Sequence, residues 1–462
     1  MHKLKKNLKS IIKVLILISV INTTSGSDAN KYEATWESLD SRPSPSWYDD
    51  AKVGIFLHWG VYAVPSFGTE WFWQNWQGSN VSSYVDFMNQ NYRPGFTYQD
   101  FGTEFTTELF DPNHWAELFQ ASGAKYVVLT SKHHEGYTLW PSKYSFSWNS
   151  QDVGAHKDLI GLLANAIRSK TNLRFGLYHS LFEWFNRLYL EDKAGGFKNS
   201  SFPDLKVLPE MYELINTYKP SILWSDGEWE ADDSYWKSKE FLAWLYNESP
   251  VKDEVLVNDR WGSATLCKHG DFYTCIDKYN PGVLQEHKWE NAMTLDKGSW
   301  GYRRNARLSD YMTTKELLKT LMETISCGGN ILINVGPTKE GTIDVIFEER
   351  LRELGAWMKI NGKAVYETKP WLHQNDTLTP GVWFTTPKIE NSDVVYTFFH
   401  EWPQSDHLEV AVLHKYLQET GTIKMLGNQE ELQWSKTDKS VDINLPYKTP
   451  VKDAWVLEVK LK

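Results

Sequence analysis

Short runs of consecutive apolar residues recur along this chain, and polar or aromatic residues follow each run closely. The runs are Val53–Leu57, Tyr126–Leu129, Arg174–Leu177, Ile222–Trp224, Val255–Val257 and Ile331–Ile333. Runs without polar alternation are typical of strands that are buried on both faces of a parallel sheet. Helical patterns lie between them, so the chain is predicted to alternate strands and helices around such a sheet.

The segment after Met312 carries the clearest helical pattern. Thr313 and Glu316 have the spacing of a capping box, and Gly328 is a stop signal beyond the pattern. One apolar stripe lies between them, formed by Leu317, Leu318, Leu321, Met322 and Ile325. Strand–helix alternation as far as about residue 365 predicts an α/β fold of the (β/α)8-like barrel type. A doubly wound open sheet is the alternative, but the sequence has no GxGxxG or P-loop motif, which weakens its nucleotide-binding form.

The pattern changes after residue 365. Apolar and polar residues alternate in Leu408–Val412, Ser440–Leu445 and Leu457–Lys462. Alternation with a period of two indicates half-buried antiparallel strands. We therefore predict a barrel-like domain at 27–365, which carries the chemistry, and a C-terminal antiparallel β-sandwich at 366–462.

Residues 1–26 have the pattern of a secretory signal peptide. A lysine-rich lead-in precedes the apolar run Val14–Ile21, and small polar residues then reach Gly26, near which cleavage is expected. The run is shorter than the roughly 20 residues that span a bilayer, so no membrane anchor is expected once the signal is removed. Entry into the secretory pathway predicts a secreted or lysosomal protein.

The mature chain is predicted to be acidic. Loss of five lysines and no acidic residue with the signal changes the formal net charge from −10 to −15. An acidic protein is a poor partner for nucleic acid or for an anionic membrane surface, so neither is expected to bind. A neutral or cationic substrate suits this charge better.

The three cysteines are too few for a scaffold built on disulfides. Cys267 and Cys275 lie close together in a turn-rich segment and are predicted to pair in an oxidising compartment, which leaves Cys327 single. The candidate glycosylation sites are the Asn-X-Ser/Thr tripeptides at Asn80, Asn199, Asn247 and Asn375.

Polar and aromatic side chains gather where the predicted strands give way to loops, which is where barrel enzymes place catalytic groups. The candidate site residues are His58, Glu70, Trp71, His133, His134, Tyr178, Asp226, Arg260, Asp277, Glu290 and Trp300. Aromatic residues make up 15% of the chain, with 23 tryptophans. Aromatic faces beside hydrogen-bonding groups suit a sugar, although a large aromatic core would use tryptophans too.

Two carboxylates that flank a scissile bond are the minimum for glycoside hydrolysis. Asp226 comes at the end of a predicted strand, where a rigid backbone can aim it, and it is the candidate nucleophile. An aspartate there could equally cap a helix or a turn. Asp277 and Glu290 are both candidates for the general acid.

The neighbours His133 and His134 raise the question of a metal. Adjacent residues on an extended segment point in opposite directions, whereas zinc-binding histidines on a helix lie four apart and need a third ligand. One histidine that contacts a substrate and one that supports it fit better, and neither a metal nor a cofactor is expected. The sequence lacks a G-x-S-x-G element, which disfavours a serine hydrolase.

At these residues the sequence resembles the α-L-fucosidases of glycoside hydrolase family 29, most closely the animal tissue-type enzymes. The resemblance rests on the stretches Trp47–Lys52, Gly54–Gly60, Ser131–Gly136, Gly176–Ser180, Trp224–Trp229, Asn258–Gly262, Ser299–Arg304 and Asn330–Pro337. It covers nearly all of the mature chain, including the C-terminal region. Taken together, the stretches are specific for the family, although each stretch alone is a weak signal.

The resemblance implies a retaining exo-glycosidase that releases terminal α-L-fucose by double displacement, with a barrel-like catalytic domain and a β-sandwich. Asp226 stands at the family's nucleophile position. The residues implied to line the fucose pocket are His58, Glu70, Trp71, His133, His134, Tyr178, Arg260 and Trp300. Bacterial-type members have Glu near the position of Asp277, whereas animal-type members have Asp there. Asp277 is the preferred acid/base, with Glu290 as the alternative.

The implied partner is a fucosylated glycan substrate. Related enzymes are often multimeric, so a homo-oligomer is considered as well. The alternative from a different class of protein is a catalytically inactive, lectin-like protein that binds fucose. The intact set of carboxylates disfavours that alternative.

Overall fold

The computed structural model describes residues 31–462, and the predicted signal peptide at 1–26 lies outside this range. The α-helices are α1 (Trp36–Asp40), α2 (Trp47–Ala51), α3 (Ser82–Asn91), α4 (Pro112–Ala121), α5 (Leu159–Lys170), α6 (Arg187–Ala194), α7 (Leu208–Tyr218), α8 (Asp233–Trp236), α9 (Ser238–Asn247), α10 (Thr314–Ser326) and α11 (Val345–Asn361). The strands are β1 (Val53–Leu57), β2 (Tyr126–Lys132), β3 (Arg174–Ser180), β4 (Ile222–Asp226), β5 (Leu256–Val257), β6 (Trp289–Thr294), β7 (Gly329–Val335), β8 (Thr368–Asn375), β9 (Trp383–Pro387), β10 (Val394–Phe399), β11 (His407–Val410), β12 (Thr422–Met425), β13 (Trp434–Lys436), β14 (Val441–Asn444) and β15 (Trp455–Lys460).

The first seven strands form one parallel sheet in the order β5-β4-β3-β2-β1-β7-β6. All the apolar runs of the sequence are strands of this sheet, and β1 has the predicted bounds. Their side chains are buried almost throughout, which explains why the runs are unbroken. Because the order steps along the chain and then joins β1 to β7, the sheet is that of a (β/α)8-like barrel rather than a doubly wound fold. The predicted fold class is confirmed.

An irregular segment at residues 271–278 lies between the end strands β5 and β6. On the β5 side the amide of Asp271 donates to the carbonyl of Val257 at 3.0 Å, and on the β6 side the amide of Lys278 donates to the carbonyl of Ala292 at 2.9 Å. The segment therefore occupies the place of a further barrel strand. It carries the preferred acid/base candidate to the C-terminal end of the sheet.

The helix predicted after Met312 is confirmed as α10. Thr313 is its N-cap, and Glu316 completes the capping box. All five residues of the predicted apolar stripe are buried. The helix packs against β7 of the barrel and against β8 and β9, so it lies between the barrel and the following region of the chain.

Two antiparallel sheets follow α11, in the orders β12-β15-β10-β9-β8 and β11-β14-β13. Buried residues of both sheets form one apolar cluster. The alternation seen in the sequence is that of half-buried strands, as in β14, where Val441 and Ile443 are buried. The predicted β-sandwich is confirmed. Among residues 31–462, none of the helices has the length and apolar character needed to cross a bilayer.

Candidate active site

A cavity of about 130 Å³ lies at the C-terminal ends of the parallel strands. A cavity of roughly 150 Å³ accommodates one benzene molecule in a protein interior, so this volume suits a single six-membered ring. The lining residues are Phe56, His58, Glu70, Trp71, His133, His134, Tyr178, Trp224, Asp226, Trp229, Arg260, Asp277 and Trp300. All the candidate site residues of the sequence line it, with the exception of Glu290.

Asp226 is the last residue of β4 and is 8% exposed. Its Oδ2 accepts a hydrogen bond from the Tyr178 hydroxyl at 2.7 Å, and its Oδ1 accepts one from Arg260 Nη1 at 3.1 Å. Gly227 follows with a φ of +79°, and a Cβ there would lie 2.6 Å from the ring of Phe182. Only glycine therefore fits this turn. The carboxylate of Asp226, immediately before the turn, is held in the cavity by two donors.

Arg260 links the two candidate catalytic carboxylates. Its Nη2 donates to Asp277 Oδ1 at 2.7 Å, while its Nη1 holds Asp226. Burial in the cavity wall is offset by Asp226 and Asp277, which raise the pKa of Arg260 above its usual value, so the guanidinium is charged throughout. Its third donor, Nε, binds Thr274 Oγ1 at 3.0 Å, so the fork is fixed in place.

The buried carboxylate of Asp259 organises the loop that carries this pair. It accepts hydrogen bonds from the backbone amides of Cys267, Thr274 and Cys275 at 2.8, 2.9 and 3.0 Å. Cys267 and Cys275 form the predicted disulfide, and Cys327 is free and buried. Since Arg260 follows Asp259 directly and the segment continues to the acid/base candidate, the disulfide loop anchors both.

His58 is held in one tautomer by Asn334. Both amide hydrogens of Asn334 are engaged, with Thr294 Oγ1 at 3.0 Å and the carbonyl of Trp300 at 2.7 Å, so its Oδ1 accepts from His58 Nδ1 at 2.8 Å. Burial, reinforced by the neighbouring His133, lowers the pKa of His58 to about 3. The ring is neutral, and its Nε2 is left as an acceptor for a substrate hydroxyl.

His133 and His134, which directly follow β2, both lie in the cavity wall. Ser180 Oγ donates to the carbonyl of Phe182, so it accepts from His134 Nδ1 at 2.7 Å. Burial lowers the pKa of His134 well below its usual value, and its Nε2 lies 3.6 Å from Asp226 Oδ2. His133 Nδ1 faces the buried Glu135 carboxylate at 3.3 Å. One ring nitrogen of His134 is thus held by a hydrogen bond, whereas Nδ1 of His133 lies near Glu135 without a hydrogen-bond partner among the described residues.

Glu70 supports the loop that carries Trp300. Its Oε2 accepts from the amide of Trp300 at 2.9 Å, from the amide of Gly301 at 3.2 Å and from Ser299 Oγ at 3.1 Å. Trp300 packs against the ring of His58 with a centroid distance of 5.1 Å. The glutamate therefore fixes one aromatic wall of the cavity.

Trp71 and Trp229 form a second aromatic wall. Their rings stack with an interplanar angle of 19° and a centroid distance of 6.1 Å. Trp229 is 39% exposed at the rim. Flat aromatic faces on two sides, with carboxylates and imidazoles between them, fit the apolar and hydroxyl faces of a sugar ring.

Glu290, the alternative acid/base candidate predicted from the sequence, does not reach the cavity. It lies within β6, fully buried, and its oxygens accept from Tyr48 at 2.5 Å, Tyr126 at 2.7 Å and Trp224 Nε1 at 3.0 Å. Burial raises the pKa of Glu290. The carboxyl group fills the barrel interior beneath Trp224, with all its donors supplied by the protein.

Sequence reasoning missed four residues of the site region. Phe56, Trp224 and Trp229 line the cavity, and each lies within the stretches that carry the family resemblance. Glu228 is buried, and its Oε2 has no hydrogen-bond partner among the described residues. Burial and the charge of Asp226 raise the pKa of Glu228 to about 7. The sequence signal that could have identified Glu228 is its spacing from Asp226, because the two carboxylates are two residues apart.

One group of side chains within residues 31–462 has the spacing of metal ligands: Asp259, Cys267 and Cys275. Its two sulfur atoms are bonded to each other, so they are not available as thiolates. This group is therefore a structural disulfide loop.

The candidate glycosylation sites differ in their surroundings. Asn80, Asn199 and Asn375 are exposed. Asn247 is half-buried in the last turn of α9, and its Nδ2 donates to the carbonyls of Tyr32 at 2.8 Å and Ala243 at 2.7 Å. A glycan on that nitrogen would displace at least one of these hydrogen bonds.

Comparisons with known proteins agree with this architecture. The model of the family described as Alpha-L-fucosidase matches residues 19–363, and the model described as Alpha-L-fucosidase C-terminal domain matches residues 374–460. The plasma alpha-L-fucosidase of Homo sapiens is 55% identical over 434 residues, which cover 93% of this chain and 92% of that protein. The tissue alpha-L-fucosidase of Homo sapiens is 50% identical over 454 residues, which cover 97% of this chain and 96% of that protein.

Among solved structures, the alpha-fucosidase of Thermotoga maritima in complex with a mechanism-based inhibitor is similar to this chain. The match has a TM-score of 0.79 and 32% sequence identity. It covers 93% of this chain and the whole of that chain. The barrel and the C-terminal sandwich thus recur together in a solved structure.

Proposed function

The chain belongs to the alpha-L-fucosidase family, and on that premise we propose that it removes terminal α-L-fucose from glycoconjugates by a retaining double displacement. It is an alpha-L-fucosidase, a glycosidase that releases fucose. Its substrate is a fucosylated glycan. What we propose is the stereochemical course and the residues that perform it.

In the first step, an Oδ atom of Asp226 attacks the anomeric carbon while the bond from that carbon to the leaving oxygen breaks. Asp277, which takes up a proton on its solvent-exposed side, gives that proton to the leaving oxygen. In the second step, water attacks the anomeric carbon of the fucosyl-enzyme and gives a proton to Asp277, and the bond to Asp226 breaks. Two inversions return the anomeric configuration of the substrate.

The observation that carries this assignment is the fork of Arg260, whose Nη1 and Nη2 each hold one of the two carboxylates. A single guanidinium keeps Asp226 and Asp277 close together, as a retaining enzyme needs for carboxyl groups roughly 5–5.5 Å apart. Asp226 is buried and held by two donors, which suits a nucleophile. The side chain of Asp277 is 53% exposed, which suits a group that exchanges protons with water.

The other cavity residues are proposed to bind the sugar. His58, His133 and His134 would meet fucose hydroxyls with their free ring nitrogens. Tyr178 and Arg260 hold the nucleophile, and Glu70 holds the loop of the aromatic wall. Trp71 and Trp300 would pack against the methyl group and the ring face. A sugar with a misplaced hydroxyl would leave these polar groups unpaired, which disfavours its binding.

We propose three further properties of the mature protein. Residues 1–26 would direct it into the secretory pathway and then be cleaved, and the mature protein would reach the lysosome or leave the cell. The division into domains at 27–365 and 366–462 is supported by the separate family models that match on either side. Glycosylation is proposed at the exposed Asn80, Asn199 and Asn375, rather than at Asn247, whose Nδ2 is engaged.

The test of the nucleophile is Asp226→Ala, with Asp438→Ala on the exposed surface of the C-terminal domain as the control. We expect Asp226→Ala to abolish release of an aryl leaving group and to melt close to the unsubstituted protein, since water from the cavity can meet Tyr178 and Arg260. Azide should restore turnover and give a fucosyl azide of inverted configuration. Full activity of Asp226→Ala would refute the assignment, and so would inverted configuration of the fucose that the unsubstituted enzyme releases.

A further inference from the structure

A second cavity, of about 430 Å³, lies beside the fucose cavity, and the proposed mechanism does not use it. The two cavities share one lining residue, Trp229. The second cavity falls within the roughly 300–1,000 Å³ typical of ligand sites, so it has room for more than the single ring that the first one accommodates. We refer to it as the outer groove.

One wall of the outer groove comes from the loops that hold the reacting groups, and residues 196–200, after α6, form the opposite wall. The loop that follows the nucleophile Asp226, the last residue of β4, supplies Trp229 and Asp232 to the groove. The loop after β5 carries Arg260 and supplies Ser263. Ser263 Oγ donates to Asp232 Oδ1 at 3.0 Å, which joins the two loops. The groove therefore meets the fucose cavity at Trp229, three residues after Asp226 on the same loop.

The side chains of the outer groove have the chemistry that recognises a neutral oligosaccharide. The exposed side chain of Ser234 offers a hydroxyl, and the rings of Trp229 and Phe197 offer flat apolar faces. Lys198 is exposed and forms no ion pair with any residue in 31–462, so its ammonium can donate to sugar hydroxyls. Ring faces with several hydrogen-bonding groups around them match successive sugar units.

We propose that the outer groove binds the sugar units next to the fucose, so that the enzyme's preferred substrates are fucosylated oligosaccharide chains. This inference rests on the proposed function, because only a glycan with its fucose between the catalytic carboxylates would extend past Trp229. Binding of these units contributes to kcat/KM for an oligosaccharide and contributes nothing for an aryl fucoside, whose leaving group is a single ring.

A glycan at the groove would disturb the test, so glycosylation of the groove wall must be prevented. Asn199 is a candidate glycosylation site on its wall, and a glycan on this residue would compete for the same space. The parent protein for the test is therefore Asn199→Gln. In this parent no glycan of the protein itself can be attached at the groove.

Two substitutions fill the outer groove from opposite walls: Ser234→Trp and Lys198→Trp. For each we would measure kcat/KM for a pentasaccharide with one terminal α-L-fucose and for an aryl α-L-fucoside. The ratio of the two values is independent of the fraction of folded enzyme, so a loss of protein cannot imitate the effect. Ser435→Trp, on an exposed strand of the C-terminal domain, is the matched control.

We expect the ratio to fall at least tenfold in both groove variants and to stay constant in the control. A ratio that does not change in either groove variant overturns the inference, whatever the absolute activities are. Failure of the proposed function would look different: the unsubstituted protein would not release the leaving group of the aryl fucoside with retention of configuration. Failure of the inference is thus seen in the kcat/KM ratios of the groove variants, whereas failure of the proposed function is seen in the product that the unsubstituted protein releases.

Discussion

Replacing Glu290 by glutamine distinguishes the two carboxyl groups that the sequence leaves as candidates for the acid/base. Glu290 Oε2 accepts from Tyr48 and Tyr126, and Oε1 accepts from Trp224 Nε1. The side-chain oxygen of glutamine can accept from the hydroxyls of Tyr48 and Tyr126. Its NH2 group then faces the indole N–H of Trp224, and because both groups are donors, the indole N–H has no acceptor. One buried donor without an acceptor costs about 1–3 kcal/mol, so we expect the free energy of unfolding to fall by that amount.

The matched substitution is Asp277→Asn. The side chain of Asp277 is 53% exposed, and its ion pair with Arg260 lies at the cavity rim. Asparagine keeps a side-chain oxygen that can accept from Arg260 Nη2, and the site of the substitution is half exposed, so we expect the free energy of unfolding to change by about 1 kcal/mol or less. Loss of general acid catalysis should lower kcat/KM about 10²–10⁴-fold for a fucoside with a poor leaving group.

The assay combines urea denaturation of both variants with kcat/KM for two aryl fucosides whose phenols differ in acidity. We expect Glu290→Gln to lose stability and to keep its activity within a few-fold for both substrates. Asp277→Asn should keep its stability and lose most activity against the poorer leaving group, with azide restoring turnover. The reasoning is refuted if Glu290→Gln keeps its stability, loses activity chiefly against the poorer leaving group and is rescued by azide.

Two further predictions concern the surroundings of Asp226, and a third concerns the disulfide loop. Tyr178→Phe removes a 2.7 Å hydrogen bond to Asp226, and since a hydrogen bond to a charged group contributes about 1.5–3 kcal/mol, kcat should fall roughly 10- to 100-fold; an unchanged kcat would contradict this. The pKa of Glu228 is raised from 4.5 to about 7 by burial and by the charge of Asp226, so folding favours the neutral acid. Its contribution to stability is present below pH 4.5 and is lost as the pH rises to 7. Glu228→Gln should therefore gain stability relative to the unsubstituted protein across that interval, as measured by unfolding midpoints, and a constant difference would contradict the assignment. Replacing Cys267 and Cys275 by serine removes a short covalent loop and should lower the free energy of unfolding by about 2–3 kcal/mol, which an unchanged denaturation midpoint would exclude.

The strands of the barrel were predictable because burial on both faces leaves a direct mark on the sequence. An unbroken apolar run predicts a buried strand without any information on the residues that pack against it. The bounds of β1 were predicted to the last residue. Strand β6 was missed because Glu290 and Asn291 stand in its middle. A polar residue inside a strand is tolerated only when distant residues supply its partners, and these partners come from α2, β2 and β4.

The candidate site was largely predictable for a related reason. Polar residues at the ends of neighbouring parallel strands must come together, so spacing along the chain was enough to bring His58, Tyr178 and Asp226 to one cavity. Trp229 and Glu228 follow a turn at Gly227, and the direction of each side chain depends on that turn. The run of apolar residues contains no information about such a turn.

The environments of Asp277 and Glu290 favour Asp277 as the acid/base, on kinetic as well as geometric grounds. A residue that serves as acid and then as base gives up one proton and takes one back in every turnover, and both transfers involve the leaving group or water. Glu290 is enclosed by two phenols and an indole, so a proton could leave it only through groups that are themselves buried. Asp277 meets the solvent and at the same time the guanidinium that holds the nucleophile. Of the two, only Asp277 can exchange a proton at the cavity without a change in the barrel interior.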